Sequence, residues 1–110
     1  SHFIKTPREK EAYFRAIHSR LLPKARLLTA DLSAILTDAS IPLFNNAWIA
    51  HNVSNGRPAQ EVVDDFKKSA ETVSIISCSA YERLLKKCGF EKPAMFFKAF
   101  MFCGWITRKG

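Results

Sequence analysis

Glycine and proline are scarce in this chain, four and five among 110 residues. They leave room for only a few breaks. Strand formers nowhere alternate with polar residues for long, so helix is the default reading. Cysteine is rare and odd in number: Cys78, Cys88 and Cys103 stand ten and fifteen residues apart. No C-x-x-C pair occurs, and His18 and His51 are remote in sequence, so a metal site has no framework. Three thiols in apolar surroundings read as reduced and core-directed, which predicts an intracellular protein, cytoplasmic or nuclear. The longest apolar run, Ala99 to Ile106, is far short of the roughly 20 residues a spanning helix needs. No signal peptide is visible, and Ser1-His2 reads as a remnant of an expression tag.

Catalytic signatures are missing too. There is no Gly-rich phosphate loop, no G-x-S-x-G and no H-E-x-x-H. Asp64 and Asp65 are adjacent, so on a helix they diverge by about a hundred degrees and form no carboxylate pair. His51 has no Asp, Ser or Cys at a supporting spacing, and each cysteine lacks a His partner. These absences predict no catalytic residue, no cofactor and a non-enzymatic domain.

What is present is apolar and basic. The hydrophobic fraction is 47%, with nine Phe, two Trp and two Tyr, enough for one core in one domain spanning 1–110. Residues 1–5 are expected to be a disordered or tag-derived start, and the whole is compatible with a fragment of a longer protein. The net charge is +7. Residues 1–30 carry +5, residues 31–66 carry −4 and residues 67–110 carry +6. Two basic ends around an acidic middle favour an anionic partner if the ends pack together.

Helix signals run along the chain. Thr6-Pro7-Arg8-Glu9 is a capped start, and Phe14, Ile17 and Leu21 form an apolar stripe, with Arg8, Lys10, Arg15 and Arg20 on a basic outer surface. Pro23 ends this helix. Ala25, Leu28, Leu32, Ile35 and Leu36 predict a second helix, about Lys24 to Thr37. Pro42 to His51 predicts a third, with Phe44, Ala47, Trp48 and His51 on one face. Asn52 to Pro58 is a turn around Asn55-Gly56. A fourth helix follows from about Pro58 to Ala70, with Val62, Phe66, Ala70 and Val73 inward.

The stretch Thr72 to Lys109 organises the rest. Thr72 to Ile76 is β-prone. Ser79-Ala80-Tyr81-Glu82 is a second capping box, and Ala80, Tyr81, Leu84, Leu85 and Cys88 make the inner face of a fifth helix that Gly89 caps. Pro93 to Cys103 predicts a sixth helix, apolar nearly all round, ending at Gly104. Helix, short Gly-containing turn, helix is the pattern of a helix-turn-helix. With the β-prone run before it and the basic tail after it, the order resembles a winged helix.

The sequence therefore predicts an all-α, compact bundle of five or six helices, its C-terminal half helix-turn-helix- or winged-helix-like. The leading function is a nucleic-acid-binding accessory module, DNA before RNA, with Arg83, Lys86, Lys87, Lys92, Lys98, Arg108 and Lys109 holding phosphates. The rival is a protein-interaction or oligomerisation domain using Phe97 and Met101 of the Phe/Met-rich segment. A third reading lays MFFKAFMF on an anionic membrane, with one lysine in support.

Overall fold

The computed structural model describes residues 1–35 and 37–110, and of residues 69–72 the backbone alone. Leu36, and the side chains of Ala70 and Thr72, expected in or beside helices, lie outside the described residues. The elements run in the order α1 (Pro7–Arg20), β1 (Arg26–Leu32), α2 (Ile41–Ser54), α3 (Ala59–Thr72), α4 (Cys78–Lys87), β2 (Ala94–Ala99) and β3 (Phe102–Arg108). The strands form one antiparallel sheet in the order β1-β3-β2. The protein is a mixed α/β fold, and the all-α expectation is corrected by that sheet.

Two predicted helices are strands. The second, Lys24 to Thr37, is replaced by β1. Leu22-Pro23-Lys24-Ala25 makes a tight turn, closed by the Ala25 amide donating to the Leu22 carbonyl at 3.0 Å. Proline suits its second position, and Lys24 takes the left-handed conformation, φ 62°, that its third requires. The chain leaves that turn extended. The sixth, Pro93 to Cys103, is a β-hairpin instead, turning at Phe100 with φ 56°. Aromatic side chains suit a pleated, half-buried surface as well as a helix. Without that helix the helix-turn-helix over Ser79 to Cys103 does not form. The winged-helix order that rested on it goes with it.

The local helix signals fare better. The Thr6 hydroxyl accepts from the Glu9 amide at 3.1 Å and caps α1. The cap of α4 lies two residues before the expected one: the Ser77 hydroxyl accepts from the Ala80 amide at 3.2 Å. Gly89 follows α4 with φ 98°, and His18 packs against it so closely that an added Cβ would sit 2.7 Å from the imidazole Nε2. Gly89→Ala is therefore expected to cost about 2 kcal/mol, part from the left-handed backbone and part from displacing His18. Urea denaturation checks this; an unchanged midpoint would contradict the packing.

The core lies on one side of the sheet. Leu27, Thr29 and Asp31 of β1 and Cys103, Trp105 and Thr107 of β3 face α1 and α4. The buried cluster joins them to Phe14 of α1, to Tyr81 and Leu85 of α4, and to Cys88 and Phe90 beyond it. Trp105 stacks on Tyr81 at 4.3 Å, and Phe14 meets Tyr81 edge-on at 5.6 Å. Lys10, expected on the basic outer surface, is 1% exposed. Its ammonium donates to the carbonyls of Ser1 and Ser74. Burial lowers its pKa, and the charge of Asp31 opposes that shift. The α2 and α3 helices lie against each other, and the molecule is elongated, 47 by 25 by 25 Å.

Candidate functional site

The other face of the sheet carries the strongest functional signal. Strand alternation sends Arg26, Leu28, Ala30 and Leu32 of β1 outward, beside Phe102, Gly104, Ile106 and Arg108 of β3. On β2, Met95 pairs with Trp105 and Phe97 with Gly104, so Phe96 is the extra residue of a bulge. The bulge brings two consecutive phenylalanines to the outer side. The Phe96 ring lies where a Gly104 Cβ would come within 3.1 Å of it, and the Phe97 Cβ is 3.5 Å from the same point. Gly104, expected to stop a helix, is thus a strand residue that lets Phe96 lie flat. Leu28 is 64%, Phe96 59% and Phe97 49% exposed. Between Arg26 and Arg108 at one end and Leu32 and Phe102 at the other, the face carries no charge. The open side of an antiparallel sheet is ordinarily polar.

At the Phe102 end the face runs into a cleft between α2, α3 and the hairpin turn, with a volume near 580 Å³. Trp48 of α2 meets Phe100 at 5.6 Å and Phe102 at 5.4 Å. Phe44, Val62, Phe66 and Met101 complete the apolar walls, and Asn45 adds an amide oxygen without a hydrogen-bond partner among the described residues. His51, doubted as a base, is exposed and lies 6.2 Å from the rings of Trp48 and Phe100. No residue of α2 is fully buried, and Leu43 and Val53 stand exposed on it.

The two proposed partner residues separate. Phe97 stands on the open sheet face, whereas Met101 is half-buried and lines the cleft. The seven proposed cations are distributed over α4, β2, β3 and the segments beside the strands. Arg83, Lys86 and Lys87 lie exposed on α4, where Lys87 is 3.1 Å from the Glu11 carboxylate. Lys92 and Arg108 share the Arg26 end of the sheet, with Glu91 4.0 Å from Arg108. The Lys109 ammonium donates to the Leu21 carbonyl at 2.9 Å. Lys98 lies on the far part of β2, roughly 20 Å from Lys92 at strand spacing, and its charge helps lower the pKa of Asp38 after the two hydrogen bonds from Ser40. The sequence put Leu28 in a helix stripe and Phe96 in the MFFKAFMF segment, and no local pattern brings the two onto one face.

A buried polar cluster sits on the inner face. Asp31 accepts from the Ser1 amino group at 2.7 and 2.8 Å, from the Ser1 hydroxyl, from the His2 amide at 2.9 Å and from the Tyr81 hydroxyl at 2.7 Å. Burial alone would raise its pKa, but these donors together outweigh burial and hold it well below the usual carboxylate range. The Tyr81 phenol is pushed above its ordinary value, chiefly by burial, with Asp31 adding to the shift. Among the described residues no three His, Cys, Asp or Glu side chains gather as a metal site, and no helix is long and apolar enough to cross a membrane.

By sequence the chain matches no protein family and no curated protein. By structure it is similar to human N-acetylserotonin methyltransferase, crystallised in complex with SAM, with a TM-score of 0.58 at 12% identity. The match covers 99% of this chain and 27% of that one. The likeness is one of fold alone, and this chain spans about a quarter of that enzyme.

Proposed function

We propose that the domain is a non-enzymatic protein-interaction module that self-associates through the open face of its sheet. The observation that carries this reading is the uncharged surface of Leu28, Phe96, Phe97 and Ile106, which no helix covers among the described residues. Size supports it. The accessible surface is 7200 Å² for 12.5 kDa, against about 6200 Å² expected of a compact monomer of that mass. The excess is close to what one partner contributes to an ordinary interface. An apolar sheet face can meet its own copy about a two-fold axis, so a second copy is the first occupant to test. In the structurally similar methyltransferase the matching region is a minor part of a longer chain, which fits an accessory role here.

Equilibrium sedimentation decides the point. The unaltered chain is expected to associate as its concentration rises. Phe97→Asp is expected to weaken that association on the order of a hundredfold while leaving the thermal melt in place, since the ring is half exposed. A chain that stays monomeric at the highest attainable concentration would remove self-association.

A second reading is contact with nucleic-acid phosphates along the outer side of α4. Arg83 and Lys86 favour it, being exposed there with no carboxylate in ion-pair range among the described residues. Labelled duplex and single strands at two salt concentrations test it. Binding that weakens with salt, and weakens further in Arg83→Glu with Lys86→Glu, supports it; no binding at low salt removes it.

A further inference from the structure

Cys78 and Cys103 are far apart in sequence, yet their Sγ atoms lie 3.6 Å apart. Cys78 is the first residue of α4 and is partly exposed; Cys103 is on the inner face of β3 and fully buried. The third thiol, Cys88, is buried elsewhere in the core, and its Sγ contacts the Glu11 carbonyl at 3.6 Å. The expectation of three reduced, core-directed thiols does not foresee a pair. Nor does a metal explain it, because no third ligand stands by among the described residues.

We propose that Cys78 and Cys103 are a redox-active dithiol, oxidised by small-molecule disulfides to a bond that pins the start of α4 to the central strand. The two sulfurs need to close by roughly 1.5 Å to reach bonding distance. The first residue of a helix can make that movement more readily than the middle of a sheet. Exposure sets the order of events. The Cys78 thiol loses its proton to solvent, and the thiolate attacks one sulfur of a disulfide such as oxidised glutathione. One glutathione leaves as thiolate and takes up a proton. Cys103 then gives up its proton, attacks the Cys78 sulfur of the mixed disulfide and releases the second glutathione. Two protein thiols are oxidised to one disulfide, and one glutathione disulfide is reduced to two thiols. The burial of Cys103 protects it from direct attack, so the pair reacts from the Cys78 side.

The test incubates the folded chain with oxidised glutathione, then alkylates the remaining thiols and maps them by mass spectrometry. The expected result is a chain that has lost two hydrogen masses, with Cys78 linked to Cys103 and Cys88 alone alkylated. Its melting temperature should rise by about 10 °C, since the bond closes a loop within the chain, and reductant should reverse the rise. Cys78→Ser should abolish both changes, and Cys88→Ala should leave both intact. A glutathione adduct that persists on Cys78 without resolving, a bond that forms between two chains, or three thiols that all remain open to alkylation on unfolding would each overturn the proposal.

Discussion

Trp105→Ala is expected to cost about 4 kcal/mol of folding free energy, a large part of what holds a domain of this size together. Trp105 is fully buried at the centre of β3, and its indole is nearly parallel to the Tyr81 ring, 6° apart. Removing it opens a cavity bounded by β3, α1 and α4, and strands Tyr81 without its stacking partner. The sheet cannot collapse into that space, because Trp105 is held in register between Thr29 of β1 and Met95 of β2. Trp48→Ala is expected to cost about 1.5 kcal/mol or less, since Trp48 is only half-buried and faces an open cleft. Urea denaturation of both variants, followed by far-ultraviolet circular dichroism, gives the comparison. Equal losses would mean that the core is not centred on β3.

The two tryptophans also show what the sequence could carry. Each stands in an apolar stretch, and nothing local distinguishes the one that organises the core. The helices α1 and α4 were legible because their signals are local: a hydroxyl cap, a proline in the first turn, a glycine at the end, and apolar residues three and four apart. Cys78 to Lys87 buries Tyr81 and Leu85 and exposes Arg83, Lys86 and Lys87, as that spacing requires.

The strands were illegible for a physical reason. Strand periodicity is visible only when one face is polar, and here both faces of the sheet are largely apolar. From Met95 to Ile106 the inward Cys103 and Trp105 alternate with outward Phe102, Gly104 and Ile106, so no alternation of polarity appears. The bulge at Phe96 breaks the remaining period. The turn between β2 and β3 uses Phe100 in a left-handed conformation, where Asn-Gly would have announced a hairpin. In and around β1, Ala25, Leu28, Leu32 and Ile35 match helical spacing, yet the pairing of the strand is fixed by β3, with Arg26 opposite Arg108 far along the chain. The same feature that hid the fold marks the proposed site: a sheet apolar on both sides has one side left to cover. Charge alone misplaced Lys10, which it put on the outer surface and the structure buries.

Asp31 supplies the second large effect. It is 2% exposed and was no more than one acid of the middle segment in the sequence. Asp31→Ala is expected to destabilise the fold by about 3 kcal/mol, because the Tyr81 hydroxyl and the amino-terminal donors lose their acceptor while the buried Lys10 ammonium loses its nearby negative charge. The carboxyl pKa is lower in the folded chain than in the unfolded one, where it lies near 3.9. The unfolded state therefore binds the proton first. The stability due to Asp31 is fully present above about pH 4 and falls away as the pH drops toward the folded pKa. Urea midpoints taken between neutral pH and pH 3 should fall steeply for the unaltered chain at the acid end. For Asp31→Asn, which cannot titrate, they should start lower and fall less. If the two curves stay parallel through the acid range, Asp31 is not the group that links the N-terminal segment, β1 and α4 by its charge.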